Sequence, residues 1–245
     1  MAVAPDSPQE DEVALASMCE LSFYHGLYFP KQFEKLVLRG LFFDGAGADQ
    51  IDRWRARFKL LVAKLSLAHK VTNDRPLLLK NPVYTGRAAM LREMFPDARF
   101  IHIHRHPWEV FLSMRNFYIQ LLDVMSLQNL PRDLDIDGLI LSVYDRMMRA
   151  HEVDFAAAPD GSFVELSYND LIADPIAALK QVYTVLGISG FVDDHEGFSA
   201  HLKSVHGYRP NQFTHDAAAA RRVSDRLGYW IAKWGYDDPV GREIA

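Results

Sequence analysis

A lysine and an arginine each stand where a short apolar run stops. Lys80 follows Leu77-Leu78-Leu79 and Arg105 follows Phe100-Ile101-His102-Ile103-His104, and each is trailed two residues later by a proline, Pro82 and Pro107. With a helical pattern between the two runs, the segment reads as strand, helix, strand with a cation at the end of each strand. Ligands of open parallel sheets bind beyond the carboxyl ends of the strands, which puts both cations where an anion would sit. Ser113 follows Arg105 by eight residues, two turns into the next helical pattern. Its hydroxyl would add a hydrogen bond to the planar donor fork of the guanidinium, a combination that matches phosphate oxygens. Taken alone, an arginine there serves equally as a cap or as a salt bridge at the sheet edge. A second reactive group is the acidic tract Glu10-Asp11-Glu12. Such a tract either decorates the solvated start of a helix or supplies a carboxylate for general-base work.

The elements that must position these groups are legible as patterns. Glu12 to Leu21 is apolar enough for a short helix. Phe23 to Pro30 is an aromatic segment that either plugs the core or lines a substrate cleft. Asp44 to Asp49 is a turn without phosphate-loop spacing. Trp54, Phe58, Leu61, Leu65 and Ala68 recur at three or four and predict an amphipathic helix over 51–70. Asn73 to Pro76 launches the first strand. Thr85 to Phe95, Trp108 to Leu127, Asp135 to Ala158, Pro175 to Leu186, His195 to Val205 and Ala217 to Trp234 are predicted helices, and Pro107 suits a first helical turn. A third apolar run, Phe163 to Leu166, ends at Ser167-Tyr168-Asn169-Asp170. Strands alternating with helices predict an α/β fold with a parallel sheet.

Composition narrows the function classes. The 245 residues suffice for one full domain, and 49% are hydrophobic, so a packed core is expected. Against 27 basic residues stand 32 acidic ones, a formal charge of −5 that argues against general nucleic-acid binding. The single cysteine, Cys19, excludes an intrachain disulfide and a cysteine zinc cluster. No run reaches the length of a membrane span, and the start lacks signal-peptide features, so a cytoplasmic protein is the expectation. His102, His104 and His106 alternate through the second strand and its exit. With no acidic or cysteine ligand nearby in sequence they read as hydrogen-bonding residues, and no metal is expected.

The order of these pieces resembles the sulfotransferases that use 3'-phosphoadenosine 5'-phosphosulfate, particularly the bacterial and tyrosylprotein-type branch. That branch has a strand ending in Lys-x-Pro, a helix, a Phe-Pro-x-Ala-x-Phe-like stretch, and Arg-x-Pro with Ser eight residues after the Arg. Phe163 to Leu171 with Asp174-Pro175 is similar to its Tyr-Glu-Asp-Leu strand and following helix, and Gly228 to Tyr236 is similar to its terminal helix. The resemblance implies a P-loop-NTPase-like parallel sheet flanked by helices. It implies one sulfotransferase-like domain over 1–245, with a mainly helical substrate-side region over 1–75, an α/β core over 76–190 and C-terminal helices over 191–245. It also implies roles. Arg105 and Ser113 would hold the nucleotide 3'-phosphate, and Lys80 would offset charge on the bridging oxygen in the transition state. Glu10 or Glu12 would deprotonate the acceptor hydroxyl or amine, with nothing in the sequence to rank them. Tyr168, Lys203, Tyr208 and Asn211 would help position the nucleotide. The acceptor would be a small molecule or a peptide, and the nucleotide would be a co-substrate working without a metal.

One departure stands out. Such enzymes open with a strand and an Arg-Ser-Gly-Thr-Thr-like loop that cradles the 5'-phosphosulfate, and this chain shows no such loop, so a member lacking that N-terminal strand, loop and helix is expected. Two other classes share the pattern of basic strand ends. A P-loop-related kinase is disfavoured by the missing Gly-x-x-x-x-Gly-Lys-Ser/Thr and would be revealed by magnesium-dependent ATP turnover. The other class is a non-catalytic remnant or a nucleotide-binding or scaffold protein of the same fold, and size exclusion with protease resistance would separate a stable scaffold from a fragment with an exposed sheet edge.

Overall fold

The computed structural model describes residues 9–71, 76–204 and 216–241, with the side chains of 192–194 excepted. It is a helix-rich α/β protein with a small parallel sheet. The helices are α1 (Asp11–Met18), α2 (Tyr24–Tyr28), α3 (Phe33–Phe42), α4 (Ala48–Ala68), α5 (Ala88–Met94), α6 (Pro107–Met125), α7 (Ile136–Ala156), α8 (Tyr168–Ala173), α9 (Pro175–Val185), α10 (Phe191–Ser204) and α11 (Ala217–Lys233). The strands are β1 (Phe100–His104) and β2 (Phe163–Ser167), paired in parallel from Phe100 opposite Phe163 to His104 opposite Ser167. Among the described residues no helix is long and apolar enough to cross a membrane.

Two compact units divide the chain. The first comprises Met1–Arg87 and Phe117–Leu139, and the second comprises Ala88–Asn116 and Ile140–Ala245.

In the first unit the predicted stripe of α4 is buried: Trp54 and Phe58 are sealed and stack at 5.1 Å between ring centres. Phe33 at the start of α3 meets Tyr118 edge-on at 5.2 Å. The aromatic segment after α1 is core, because it folds as α2 and buries Phe23, Tyr24 and Leu27, leaving Phe29 exposed. Gly40 lets α3 cross the backbone of residues 22 and 23. A β-carbon at Gly40 would lie 2.1 Å from the Phe23 nitrogen and 2.2 Å from the Ser22 carbonyl carbon, distances no side chain survives.

In the second unit, β2 turns Val164 and Leu166 onto Val182 and Leu186 of α9 and its end. Side chains alternate along a strand, so Glu165 and, on β1, His102 point to the other face. There α11 buries Val223, Leu227, Trp230 and Ile231 at helical spacing. Asp216 caps α11 by accepting from the amides of Ala218 and Ala219.

The sequence reading needs correction at residues 77–79. Their exposure alternates, Leu78 being 82% exposed, and they form no strand. A strand exists only through a ladder, and among the described residues only β2 pairs with β1. The next helix also starts later than predicted. Asn81 accepts from the Val83 amide and opens a tight 3-10 turn over Pro82–Gly86, so Thr85 lies within that turn and α5 begins at Ala88. Three helices, α2, α3 and α8, were not predicted.

Candidate active site

Within the first unit, the Lys80-Asn81-Pro82 turn closes over the start of α1. Glu10 is the extended residue just before the helix, whereas Asp11 and Glu12 lie in its first turn, where negative charge favours the helix dipole. Three contacts run in register. Lys80 Nζ pairs with Glu10 Oε1. Asn81 Nδ2 donates to Asp11 Oδ1 at 3.2 Å, and the Tyr84 hydroxyl donates to Asp11 Oδ2. Arg87, further along the same turn, supplies the positive charge felt by Glu12. A Lys-Asn-Pro-x-Tyr-x-x-Arg run thus serves three successive acidic residues.

The three carboxylates differ in access. Glu10 keeps 30% of its side chain exposed beside a Lys80 that is 76% exposed. Asp11 is buried, and burial raises its pKa more than the hydrogen bonds from Tyr84 and Asn81 lower it. Glu12 is fully buried, and neither carboxylate oxygen has a hydrogen bond of good geometry. Burial pushes its pKa up, with the Arg87 charge opposing. Arg87 is itself sealed. Its Nε donates to the Leu41 carbonyl at 2.9 Å and its Nη2 to the Gly40 carbonyl, and its guanidinium lies 4.3 Å from the ring centre of Phe43 and 4.9 Å from that of Trp54. Burial depresses the Arg87 pKa to about 10 against the pull of Glu12. Burial, with Glu10 and Glu12 adding to it, pushes the Tyr24 hydroxyl up to about 12.

Within the second unit, Arg105 is the first residue past β1 and Tyr168 the first past β2. Since His104 pairs with Ser167, the two side chains leave adjacent strand ends. The guanidinium carbon of Arg105 sits 4.6 Å over the Tyr168 ring, and its Nε donates to Glu109 Oε2 at 2.6 Å. The backbone that aims it is set by His106, which is buried, contacts the Asp237 carbonyl through Nε2 at 2.9 Å, and accepts from the Trp108 amide through Nδ1 at 3.1 Å. Pro107 then starts α6, and Ser113 stands exposed two turns along it. A polar cleft of about 480 Å³ adjoins these strand ends, lined by His104, Ser167, Asp170, Lys233 and Tyr236 among others. His104 stacks on Trp234 at 4.7 Å and its Nδ1 lies 2.9 Å from the Tyr236 hydroxyl.

The structure therefore brings Lys80 to Glu10 within the first unit and Arg105 to Tyr168 within the second. Glu12 is on α1 but turned inward. Lys203 is exposed on α10, and Tyr208 and Asn211 lie outside the described residues. Sequence reasoning missed Tyr84, Arg87 and Glu109 as partners in these clusters. Only Glu109 carried a readable signal, its spacing of four from Arg105 on one helix face.

Residues 27–194 match the model of the sulfotransferase family. The chain is 28% identical over 233 residues to the omega-hydroxy-beta-dihydromenaquinone-9 sulfotransferases of Mycobacterium bovis and Mycobacterium tuberculosis. Those alignments cover 94% of this chain and 58% of each relative, so the chain spans less than two thirds of their length. No solved structure matches it significantly. Lys80, Arg105, Ser113 and Tyr168 fall within the family match, and Glu10 and Glu12 precede it.

Proposed function

The chain belongs to the sulfotransferase family, and on that premise we propose that it transfers a sulfuryl group from 3'-phosphoadenosine 5'-phosphosulfate to the hydroxyl of an apolar small molecule. The observation that carries the reading is the exposed Lys80–Glu10 pair, a cation and an accessible carboxylate held together by a turn whose other contacts are buried. Glu10 takes the role of base because a base must reach the acceptor, and Glu12 is sealed. In the proposed step the acceptor oxygen attacks sulfur in line while its proton passes to Glu10. The bond from sulfur to the bridging oxygen breaks, leaving adenosine 3',5'-bisphosphate. Lys80 offsets the negative charge that grows on that bridging oxygen, an interaction strongest in the transition state. Arg105, steadied by Glu109 and Tyr168, receives the 3'-phosphate with Ser113.

The acceptor class rests on the relatives, which are named for an ω-hydroxylated menaquinone derivative. In the first unit Ile119, Val124, Leu127 and Leu130 are exposed apolar side chains, each of a chemistry that an apolar acceptor body would meet favourably.

Calorimetric titration with adenosine 3',5'-bisphosphate tests the nucleotide assignment. Saturable binding is expected, weakened about 10- to 100-fold by Arg105→Ala, the range of one charged hydrogen-bonded contact. Absence of binding, or affinity indifferent to Arg105→Ala, would remove the assignment.

A further inference from the structure

The face of the sheet opposite α9 holds a cluster that the transfer chemistry does not use. His102 comes from β1, Glu165 from β2 and His151 from α7. His102 Nδ1 and His151 Nε2 each lie 2.9 Å from the same oxygen, Glu165 Oε2. The two imidazole ring centres are 3.8 Å apart with their planes inclined at 37°. Both histidines are buried, at 9% and 3% exposure. Trp234 Nε1 donates to the other oxygen, Glu165 Oε1, at 3.2 Å and so fixes the carboxylate plane. Outer partners of that kind are what orient metal-binding carboxylates.

Two imidazoles meeting at one carboxylate oxygen differ from a relay, in which donors and acceptors follow one another in line. Here three donor atoms surround a single point, all within 4.8 Å of one another. Donors around tetrahedral zinc, at its usual bond lengths, stand about 3.3 Å apart, so the two 2.9 Å separations would open by a few tenths of an ångström to admit the ion. The cluster also sets a half-buried carboxylate against two buried imidazoles, and a cation at its centre would balance that charge.

We propose that His102, His151 and Glu165 form a binding site for a divalent transition-metal ion, with zinc the best match to two imidazole nitrogens and one carboxylate oxygen. His102 binds through Nδ1 and His151 through Nε2, each in the tautomer that leaves that nitrogen unprotonated. Water fills the fourth position, entering from the polar cleft that Glu165 also lines. The ion ties β1, β2 and α7 together below the strand ends that carry Arg105 and Tyr168. It serves as a structural strut, and no step of sulfuryl transfer passes through it.

The test needs no activity assay, so its outcome is independent of the proposed reaction. The full chain is stripped with a chelator, dialysed, and titrated with cobalt(II) and then zinc. One ion per chain is expected, with the visible absorption of tetrahedral cobalt, its displacement by zinc, and a thermal midpoint that rises with zinc concentration as linkage requires. Glu165→Gln, nearly the same shape and still a hydrogen-bond acceptor, should weaken zinc binding by at least about 10-fold, as should His151→Asn. A wild-type chain that takes up no cobalt or zinc at micromolar free ion overturns the proposal, whatever the variants do. Uptake that Glu165→Gln leaves unchanged also overturns it, since the ion would then sit elsewhere.

Discussion

Lys80→Ala is expected to lower the rate of sulfuryl transfer by about 10²–10³-fold, the usual loss when one preorganised group facing developing charge is removed. Its partner change Glu10→Gln is expected to cost about 10²–10⁴-fold, the range for a general base. Neither change should alter stability much. Lys80 and Glu10 form an exposed pair, and such pairs contribute at most about 1 kcal/mol. The assay is release of adenosine 3',5'-bisphosphate with a hydroxylated apolar acceptor, run beside thermal melts of the same preparations. A Lys80→Ala enzyme within about three-fold of wild type would remove Lys80 from the transition state. A variant that lost its fold along with its rate would show that the pair is structural instead.

Arg87→Ala is expected to destabilise the chain by about 3–5 kcal/mol, because it strands a buried charge and empties a packed site. Arg87 is sealed between the Gly40 and Leu41 carbonyls and the rings of Phe43 and Trp54, so nothing replaces it. Its loss also leaves Glu12 without the positive charge that opposes its burial. That gives the effect a pH dependence with a definite sign. Glu12 has a folded pKa raised above its unfolded value. Its stabilising share is complete below the unfolded carboxylate value of about 4.3 and is lost as pH rises through the folded value. Without Arg87 the folded value climbs further, so more stability is lost by neutral pH than in the wild type. Urea denaturation at about pH 5 and about pH 7.5 should therefore show a larger deficit for the variant at the higher pH. A deficit equal at both, or below about 1 kcal/mol, would mean that Glu12 does not depend on Arg87.

Much of this architecture was legible in the sequence because it is local. The stripe of α4, the proline that starts α6 and the apolar runs of β1 and β2 each carry their signal within one element. Arg105 emerged at a strand end as read, and its pairing with Glu109 follows from one helix face. Residues 77–79 misled because an apolar run reports a preference for extended backbone, whereas a strand also needs a partner, which no single segment encodes. The separate fates of Glu10, Asp11 and Glu12 were illegible for a related reason. What distinguishes them is a turn some seventy residues away that leaves one carboxylate at the surface and buries two. The histidines of β1 were read without metal partners because Glu165 and His151 reach His102 only through strand pairing and a helix crossing.

The first unit is assembled from two lengths of chain separated by residues 88–116. Its closing contacts join distant points: Phe33 packs on Tyr118, the Ser126 hydroxyl donates to the Leu27 carbonyl at 3.3 Å, and the Leu127 amide donates to the Tyr28 carbonyl at 3.0 Å. During synthesis the stretch bearing Glu10, Lys80 and Arg87 therefore leaves the ribosome well before the residues that complete its core. Contacts of such long sequence separation form late, because loop closure must be met before they contribute. A nascent chain halted before residue 117 would carry the whole Lys80–Glu10 turn and still lack one wall of the fold that supports it. No single cut isolates this unit, so its boundaries are set by order of emergence as much as by position in space.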